Sequence, residues 1–316
     1  MADEFVGGSL PHQPVLYKEI LNALQPRTGR FYVDGTLGAG GHAWGILEAS
    51  SPDGRLLGLD IDPVALKLAG ERLSVFKERA ILVKASYVSL LQQIEAQGWE
   101  SVDGILLDLG VSSMQLDDPG RGFSFHSGAA LDMRFDPGGA ETAADLVNSL
   151  PENELANLIF RYGEERLARK IASAIVKARP ISTPQQLSQV VSRVSDPSKR
   201  RRIHPATLTF QALRIAVNRE LDALEHFLPQ AVTALLPGGR LAVIAYHSLE
   251  DRIVKQYFRQ ESKDCICPPR QPVCTCGHRA SIKEITRRPV IPQDSEVKDN
   301  PRARSARLRV AEKQAV

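Results

Sequence analysis

The stretch FYVDGTLGAGGHAWGILE, residues 31–48, predicts both a fold and a ligand site. It starts as a short apolar run, places four glycines in the seven positions 35–41, and then resumes a helical pattern. A strand that runs into a glycine-rich turn and a helix brings backbone N–H groups and a helix N-terminus against a ligand, because glycine permits positive φ and close approach. We therefore predict a ligand-binding loop between a first strand and the helix that follows it.

Strand and helix patterns alternate from residue 31 to about 110. The apolar segments FYVDG, RLLGLDID, AILVKAS and VDGILLDLG read as strands, and AWGILEAS, PVALKLAGERLSVF and VSLLQQIEAQ read as the helices between them. This alternation predicts a parallel sheet with covered faces, because each parallel crossover needs a helix. Ligands of such sheets bind at the carboxyl ends of the strands.

The pattern changes after residue 114. A Gly/Asp/Pro-rich loop is followed by helical segments alone, and strand patterns return at PGGRLAVIAYHS, where residues 237–239 predict a turn and residues 240–246 a strand. SIKEITRRPVI and SARLRVAEK add two strand patterns, which we predict to pair as an antiparallel edge. We therefore predict an α/β domain formed by residues 1–114 and 209–316. An all-helical insertion, residues 115–208, interrupts it.

Composition limits the class of protein. The 316 residues are 43% hydrophobic, enough to bury a core, and a net charge of +3 permits a nucleic-acid partner without requiring one. The first residues lack a signal-peptide core, and apolar residues nowhere run for about 18 positions. All four cysteines lie between residues 265 and 276, which is not the pattern of a secreted disulfide scaffold. We expect a soluble cytoplasmic protein; the oligomeric state is not predicted.

Two cofactor classes fit the glycine loop. For a dinucleotide, Gly38, Gly40 and Ala43 satisfy G-x-G-x-x-A, and Asp60 follows at about the distance expected of a ribose-binding acid. For S-adenosylmethionine, Asp34 ends the first strand before Gly38 and Gly40, and Asp60 again holds the ribose. A turn without any ligand is the third reading, and the entropic cost of four glycines disfavours it.

The segment LLDLGVSS, Leu106 to Ser113, favours methyl transfer over hydride transfer. It ends the fourth strand on Asp108 and then places small polar residues, as in methyltransferases that act on amino groups. A dehydrogenase would need a nicotinamide pocket and a proton donor, and no later motif offers a clear pair. Nicotinamide-dependent chemistry is therefore the less favoured alternative.

Long motifs between His12 and about Arg309 resemble the RsmH (MraW) family of bacterial 16S ribosomal RNA cytosine-N4 methyltransferases. They include HQPVLYKEIL, VDGTLGAGGH, ILLDLGVSSMQLDDPGRGFSF, RRIHPATLTFQALRIAVNREL and PGGRLAVIAYHSLEDRIVK. The resemblance implies a Rossmann-like class I methyltransferase sheet with an inserted helical domain. It also implies S-adenosylmethionine as methyl donor and, as acceptor, a cytidine in the decoding region of 16S rRNA in the small ribosomal subunit.

Two further alternatives stay open. A DNA amino-methyltransferase is disfavoured, because Asp108-Leu-Gly-Val stands where such enzymes usually carry Asn/Asp/Ser-Pro-Pro-aromatic. A non-catalytic RNA-binding assembly factor could keep the same fold, and cofactor binding would discriminate it.

The resemblance also implies site residues. The predicted cofactor contacts are Gly38, Gly40, Gly41, His42, Asp60, Tyr87, Asp108 and Gln115. Cytosine N4 is a poor nucleophile that needs positioning and a hydrogen-bond acceptor, and on that chemical ground we predict a catalytic group and a base pocket. The predicted residues are Asp108, Ser112 and Ser113 near the exocyclic amine, and His247, Ser248 and Asp251 to complete the pocket. Asp108 could instead be a cofactor contact only, and His247 could be a strand-end histidine that hydrogen-bonds to backbone.

A basic segment predicts contact with RNA. The residues are Lys199, Arg200, Arg201, Arg202 and His204, followed on the next helix by Arg214, Asn218 and Arg219. Such a cluster suits phosphate binding, although a solvated charge run gives the same pattern.

The cysteines form two C-x-C pairs, Cys265 with Cys267 and Cys274 with Cys276. Four thiolates on a short loop could close tetrahedrally on a structural zinc ion. The C-x-C spacing is less diagnostic than C-x-x-C, so free surface thiols are the other reading.

Overall fold

A computed structural model gives the structure of the chain and describes residues 14–194, 204–268, 271 and 273–315, except for the side chain of Ser113. Within this part, one sheet has the strand order β3-β2-β1-β4-β5-β7-β6. Its strands are β1 (Phe31–Asp34), β2 (Arg55–Asp60), β3 (Ala80–Lys84), β4 (Val102–Asp108), β5 (Leu235–Ala245), β6 (Ile282–Glu284) and β7 (Arg307–Lys313).

The sheet confirms the predicted class I methyltransferase fold. Strands β1 to β5 pair in parallel, whereas β7 is antiparallel to both β5 and β6. The two C-terminal segments therefore form the antiparallel edge that their patterns predicted. Leu56, Leu57 and Leu59 of β2 are all buried, although they alternate between the two faces, as in a sheet covered on both sides.

Helices account for most of the remaining structure. They are α1 (Tyr17–Leu24), α2 (Gly41–Ala49), α3 (Pro63–Leu73), α4 (Leu90–Ala96), α5 (Ser113–Asp117), α6 (Ala143–Ser149), α7 (Glu152–Gly163), α8 (Ala168–Ala178), α9 (Pro184–Val194), α10 (Thr207–Asn218), α11 (Glu220–Ala234), α12 (Ser248–Glu261) and α13 (Asp294–Asp299). Short 3₁₀ turns lie at Ser74–Arg79, Tyr87–Ser89, Pro119–Arg121 and Pro301–Ser305.

The chain forms two compact units. The first unit runs up to Leu109 and resumes at His226, and the second unit is Gly110–Glu225. The described part of the second unit contains helices and no strand. We predicted an insertion over residues 115–208, and the compact unit extends further because α10 packs against α7. Gly163 permits this packing, since a Cβ there would lie 2.5 Å from the carbonyl oxygen of Leu208.

Local sequence signals explain how α3 supports the glycine loop. Asp62 is the N-cap of α3 and accepts a hydrogen bond from the Val64 N–H at 3.0 Å, and Pro63 fits the first turn. The helix buries Leu73, which lies 3.1 Å from the position that a Cβ of Gly40 would occupy. Gly40 also has φ +75°, so the turn requires glycine for both backbone and space.

The start of β5 differs from the prediction. We expected a turn at residues 237–239 before a strand at 240–246, whereas β5 already begins at Leu235. Its pairing with β4 then jumps from Val102↔Leu235 to Gly104↔Arg240. The predicted turn is therefore a bulge inside the strand, where Gly238 has φ +85°. Among the described residues, no helix has the length and apolarity needed to cross a membrane.

A buried ion pair joins α12 to the antiparallel edge. The Asp251 carboxylate accepts hydrogen bonds from Arg309 at 2.6 Å and from Arg307 at 3.1 Å. Burial raises the pKa of Asp251, but the two guanidinium groups outweigh it and hold the pKa below its usual value. The Arg309 side chain is 5% exposed and that of Arg307 is 48% exposed, so the two partners differ in burial.

We expect Arg309→Met to lower the free energy of unfolding by about 3–5 kcal/mol, because it leaves a buried carboxylate without its main partner. The matched control Arg307→Met should cost about 1 kcal/mol or less, because that arginine is half exposed. Urea unfolding at neutral pH measures both values. Equal losses for the two variants would contradict the role given to Arg309.

Candidate active site

The Asp60 carboxylate attaches the glycine loop to the end of β2. Its Oδ2 accepts a hydrogen bond from the Gly38 N–H at 2.8 Å, and its Oδ1 accepts one from the Asp62 N–H at 2.9 Å. A carboxylate oxygen can accept a second hydrogen bond, so Asp60 can still bind hydroxyl groups of a ligand. Burial raises the pKa of Asp60, and the two N–H donors counteract that rise.

Asp34 ends β1 and is almost completely buried. Its Oδ1 accepts a hydrogen bond from the Thr36 N–H at 3.2 Å. Burial is the largest cause of a net rise in the pKa of Asp34 to about 7, in which His42 and the Thr36 N–H lower the pKa and the charges of Asp108 and Asp60 raise it. A cation bound nearby would favour the ionised carboxylate.

Asp108 ends β4 and is connected to both neighbouring strands. Its backbone N–H donates to Thr36 Oγ1 at 2.6 Å, and its Oδ1 accepts a hydrogen bond from the Tyr246 hydroxyl at 2.9 Å. The Asp108 side chain is 24% exposed, so it remains accessible. Burial and the charge of Asp108 raise the pKa of Tyr246 well above its usual value. Tyr246 is therefore a neutral phenol whose O–H donates a hydrogen bond to the carboxylate.

His42 lies at the start of α2 with an unsatisfied ring. Its side chain is 6% exposed, and its Nε2 lies 3.6 Å from Asp108 Oδ2, beyond hydrogen-bond distance. Within the described structure, neither ring nitrogen has a hydrogen-bond partner. Because an unpaired buried polar group is costly, this ring is a natural contact for a bound ligand or water.

Together these groups suit S-adenosylmethionine. Three carboxylates, of Asp60, Asp34 and Asp108, come from the carboxyl ends of the adjacent strands β2, β1 and β4. They favour a ligand with positive charge and hydroxyl groups, and the unpaired His42 ring lies among them. The N-terminus of α2, with Gly40 as N-cap and Gly41 as first residue, adds positive dipole character and N–H donors.

Tyr87 begins the 3₁₀ turn after β3, in the same unit. Its ring meets Phe227 edge-on, with ring centroids 5.3 Å apart. Its Cβ lies 3.3 Å from where a Cβ of Gly35 would stand, which places Tyr87 beside the end of β1. An aromatic ring at this position can cover an adenine face, as predicted, and the role stays a prediction.

The residues predicted to complete the base pocket have structural contacts of their own. His247 is the N-cap of α12, and its Nδ1 accepts a hydrogen bond from the Glu250 N–H at 3.4 Å. Glu250 in turn accepts the N–H groups of Tyr246 and His247, at 2.9 and 3.3 Å. Ser248 is the exposed first residue of α12, and Asp251 is bound by arginines. Their roles toward a base stay predictions.

Ser112 and Gln115 lie in the second unit and cap α5. The Ser112 Oγ accepts the Gln115 N–H at 3.2 Å, and the Gln115 Oε1 accepts the Ser112 N–H at 3.1 Å. This reciprocal cap fixes the backbone directly after Leu109-Gly110. The prediction for the Ser113 side chain lies outside the described structure.

Two of the predicted RNA contacts, Arg214 and Asn218, are engaged in contacts within the protein. Arg214 forms a two-pronged pair with Glu220, at 2.8 and 2.9 Å. Asn218 accepts the Phe135 N–H at 2.7 Å and donates to the Met133 carbonyl at 2.8 Å.

Other predicted RNA contacts have looser surroundings. The Arg219 side chain is 82% exposed, 3.7 Å from an Asp222 carboxylate oxygen, and the His204 ring stacks on Phe125. The predictions for Lys199, Arg200, Arg201 and Arg202 lie outside the described residues.

Sequence reasoning missed Tyr246 and Thr36 as members of the site. Tyr246 was visible inside AYHS, directly after the strand β5. Because β5 pairs in parallel with β4, the carboxyl ends of the two strands are adjacent, and the residues that follow them lie close together. A prediction of strand order would therefore have placed Tyr246 beside Asp108.

Known proteins are similar to this chain over nearly its whole length. A sequence model described as the MraW methylase family matches residues 9–314. Ribosomal RNA small subunit methyltransferase H of Thermomicrobium roseum is 52% identical over 308 residues, covering 96% of this chain and 94% of that protein. The protein of that name from Geobacter sulfurreducens is 54% identical over 306 residues, covering 96% and 98%. A crystal structure titled as a putative rRNA-methylase from Clostridium thermocellum aligns with a TM-score of 0.45 at 12% identity, covering 96% and 100%.

We expect Asp34 to make unfolding pH-dependent. The carboxyl titrates near 3.8 when unfolded and at about 7 when folded, so the folded state binds more protons between these values. Its contribution to the free energy of unfolding is therefore present at low pH and is lost as pH rises from about 4 to 7. Asp34→Asn removes this pH-dependent contribution. The free energy of unfolding of the variant minus that of the wild type, measured by urea titration, should therefore increase from about pH 4 to pH 7. A difference that stays constant from pH 4 to 8 would contradict the buried, protonated carboxyl.

Proposed function

The chain belongs to the MraW methylase family, and from that premise we propose that it methylates N4 of a cytidine in 16S rRNA. The proposed donor is S-adenosylmethionine, and the proposed acceptor is a cytidine in the decoding region of the small ribosomal subunit. The observation that supports the chemistry is the accessible Asp108 carboxylate. It accepts a hydrogen bond from Tyr246 and lies, like the glycine loop, at the carboxyl end of the parallel strands. The names of the curated relatives, small subunit methyltransferases, support the ribosomal acceptor.

We assign the cofactor to the residues around the loop. Asp60 is suited to ribose hydroxyls, His42 supplies unpaired ring nitrogens, and Tyr87 offers an aromatic face. When bound, S-adenosylmethionine supplies a methyl group on a positively charged sulfur. The full proposed contact set is Gly38, Gly40, Gly41, His42, Asp60, Tyr87, Asp108 and Gln115.

Asp108 provides what cytosine N4 lacks. The N4 lone pair is delocalised into the ring, so the amine needs positioning and an acceptor for its N–H. Tyr246 occupies Oδ1 of Asp108, whereas Oδ2 has His42 Nε2 at 3.6 Å and can accept a hydrogen bond from the amine. The carboxylate then stabilises positive charge on N4 and takes up the proton that leaves it.

The remaining predicted groups complete the base pocket in this proposal. Ser112, Ser113, His247 and Ser248 would border the cytosine, which must leave its stack to reach the carboxylate. We propose that Asp251 acts at a distance, because its carboxylate is already bound to Arg307 and Arg309. Its effect would be to hold α12, and with it His247, in place.

RNA recognition is proposed for the basic residues of the second unit. The run from Lys199 to Arg202 would neutralise phosphates, together with His204 and the exposed Arg219. Arg214 and Asn218 would act mainly by shaping the unit, since both are engaged within it.

The proposal is tested by methyl transfer from labelled S-adenosylmethionine to purified small ribosomal subunits, to naked 16S rRNA and to duplex DNA, followed by nucleoside analysis. We expect label in N4-methylcytidine from the ribosomal substrate. Label in DNA would favour a DNA amino-methyltransferase instead. Failure to bind S-adenosylmethionine at all would favour a non-catalytic assembly factor.

We expect Asp108→Asn to lower kcat about 10²- to 10³-fold, because the amide is a weaker acceptor and carries no charge. Tyr246→Phe should lower kcat about 10-fold, because the carboxylate loses its hydroxyl partner. Steady-state methylation measures kcat for both variants, and a separate titration measures their affinity for S-adenosylmethionine.

Asp103→Asn is the matched control for these variants, since Asp103 lies on the same strand but binds Arg30 and the Phe31 N–H at its other end. Its kcat should stay within a factor of about two of the wild type. Wild-type kcat in Asp108→Asn would contradict the proposed roles of both Asp108 and Tyr246.

The basic run allows a further prediction. Replacing Lys199, Arg200, Arg201 and Arg202 together by alanine should weaken binding to small subunits and flatten its dependence on salt, by up to about four units of slope. Affinity for S-adenosylmethionine should stay unchanged, which separates RNA contact from misfolding. An unaltered salt slope would identify the run as a solvated surface.

A further inference from the structure

The loop between α12 and β6 gathers all four cysteines of the chain. Their Sγ atoms all lie within 4.8 Å of one another, although the two C-x-C pairs are separated by six residues. Cys267 is half-buried and the other three are exposed. The cluster therefore lies outside the hydrophobic core.

The sulfur spacing matches a tetrahedral metal site. The Sγ of Cys276 lies 3.6 Å from that of Cys274 and 3.8 Å from that of Cys265. Zinc binds thiolates at about 2.3 Å, so two sulfurs of a regular tetrahedron around it lie about 3.8 Å apart. The observed separations are far longer than the roughly 2.05 Å of a disulfide.

The compactness of the cluster also limits the kind of metal centre. An iron–sulfur cluster places its cysteines around two or more irons, which spreads the thiolates over a larger frame. Four sulfurs that lie mutually within 4.8 Å can share one ion. Four thiolates in tetrahedral arrangement are the ligand set of structural zinc sites.

The base of the loop is closed as well. The His278 ring nitrogen Nδ1 lies 2.8 Å from the Lys263 carbonyl oxygen, and the Ser281 N–H donates to the Glu261 carbonyl oxygen at 2.9 Å. Both ends of the cysteine segment are thus held by contacts that do not involve the sulfurs, which reduces the ordering cost of closing the site.

We propose that Cys265, Cys267, Cys274 and Cys276 bind one structural zinc ion, which cross-links the loop between α12 and β6. This region has little apolar core of its own, since Ile266 and Val273 are exposed. A metal cross-link can supply the order that burial does not. The inference does not depend on the methyl-transfer proposal.

Elemental analysis of full-length protein, purified without chelators from zinc-supplemented cells, tests the site. We expect about one equivalent of zinc in the wild type and less than about a tenth in Cys274→Ser/Cys276→Ser. Thr275→Ala is the matched control: it changes the residue between two ligands but keeps all four sulfurs, so it should keep the zinc. Cobalt substitution should give the visible absorption of a tetrahedral thiolate site in the wild type and not in the double variant.

Three results would overturn the proposal. The first is wild-type protein with less than about a tenth of an equivalent of zinc and four thiols that react freely. The second is a full equivalent of zinc that survives in the double variant, which would place the ion elsewhere. The third is iron in place of zinc. Circular dichroism tests whether the double variant is folded. We expect a folded variant, because the cysteines lie outside the core.

Discussion

Negative charge concentrated at the carboxyl ends of the parallel strands is the constraint on which the site depends. Strands β2, β1 and β4 are neighbours, and each ends on an aspartate: Asp60, Asp34 and Asp108. Parallel strands bring these carboxylates together, and burial strengthens their mutual repulsion. The protein offsets the repulsion with backbone donors from the glycine loop and with a raised pKa at Asp34. A cationic ligand would offset the rest, which explains why these strand ends suit a sulfonium donor.

The glycines serve this electrostatic arrangement. Gly38 donates its N–H to Asp60, and Gly40 lets the chain turn against Leu73 and enter α2. The same turn brings His42 to the carboxylates with its ring nitrogens unpaired. The loop is therefore shaped as much by the acids around it as by the ligand it is proposed to hold.

The structure also separates polar residues that look alike in the sequence. Arg214 and Asn218 form contacts within the second unit, whereas Arg219 is largely exposed. Asp251 is neutralised by arginines of β7, whereas Asp108 keeps an accessible oxygen next to a phenol donor. Residue type and spacing predicted all of them as functional, because neither reports which partner a side chain finds. The burial of each group and the charge beside it define what it can do.

The sequence by itself determined the fold and the location of the ligand loop. Hydrophobic periodicity and glycine placement are local, so β1 to β4, the antiparallel edge and the Asp34 to Asp60 segment could be read directly from the chain. Only the tertiary structure placed Tyr246 on Asp108, extended the helical unit through α10, and brought two C-x-C pairs to within 4.8 Å. These features join residues 11 to 138 positions apart, and their geometry depends on strand order and packing, which short-range patterns do not encode.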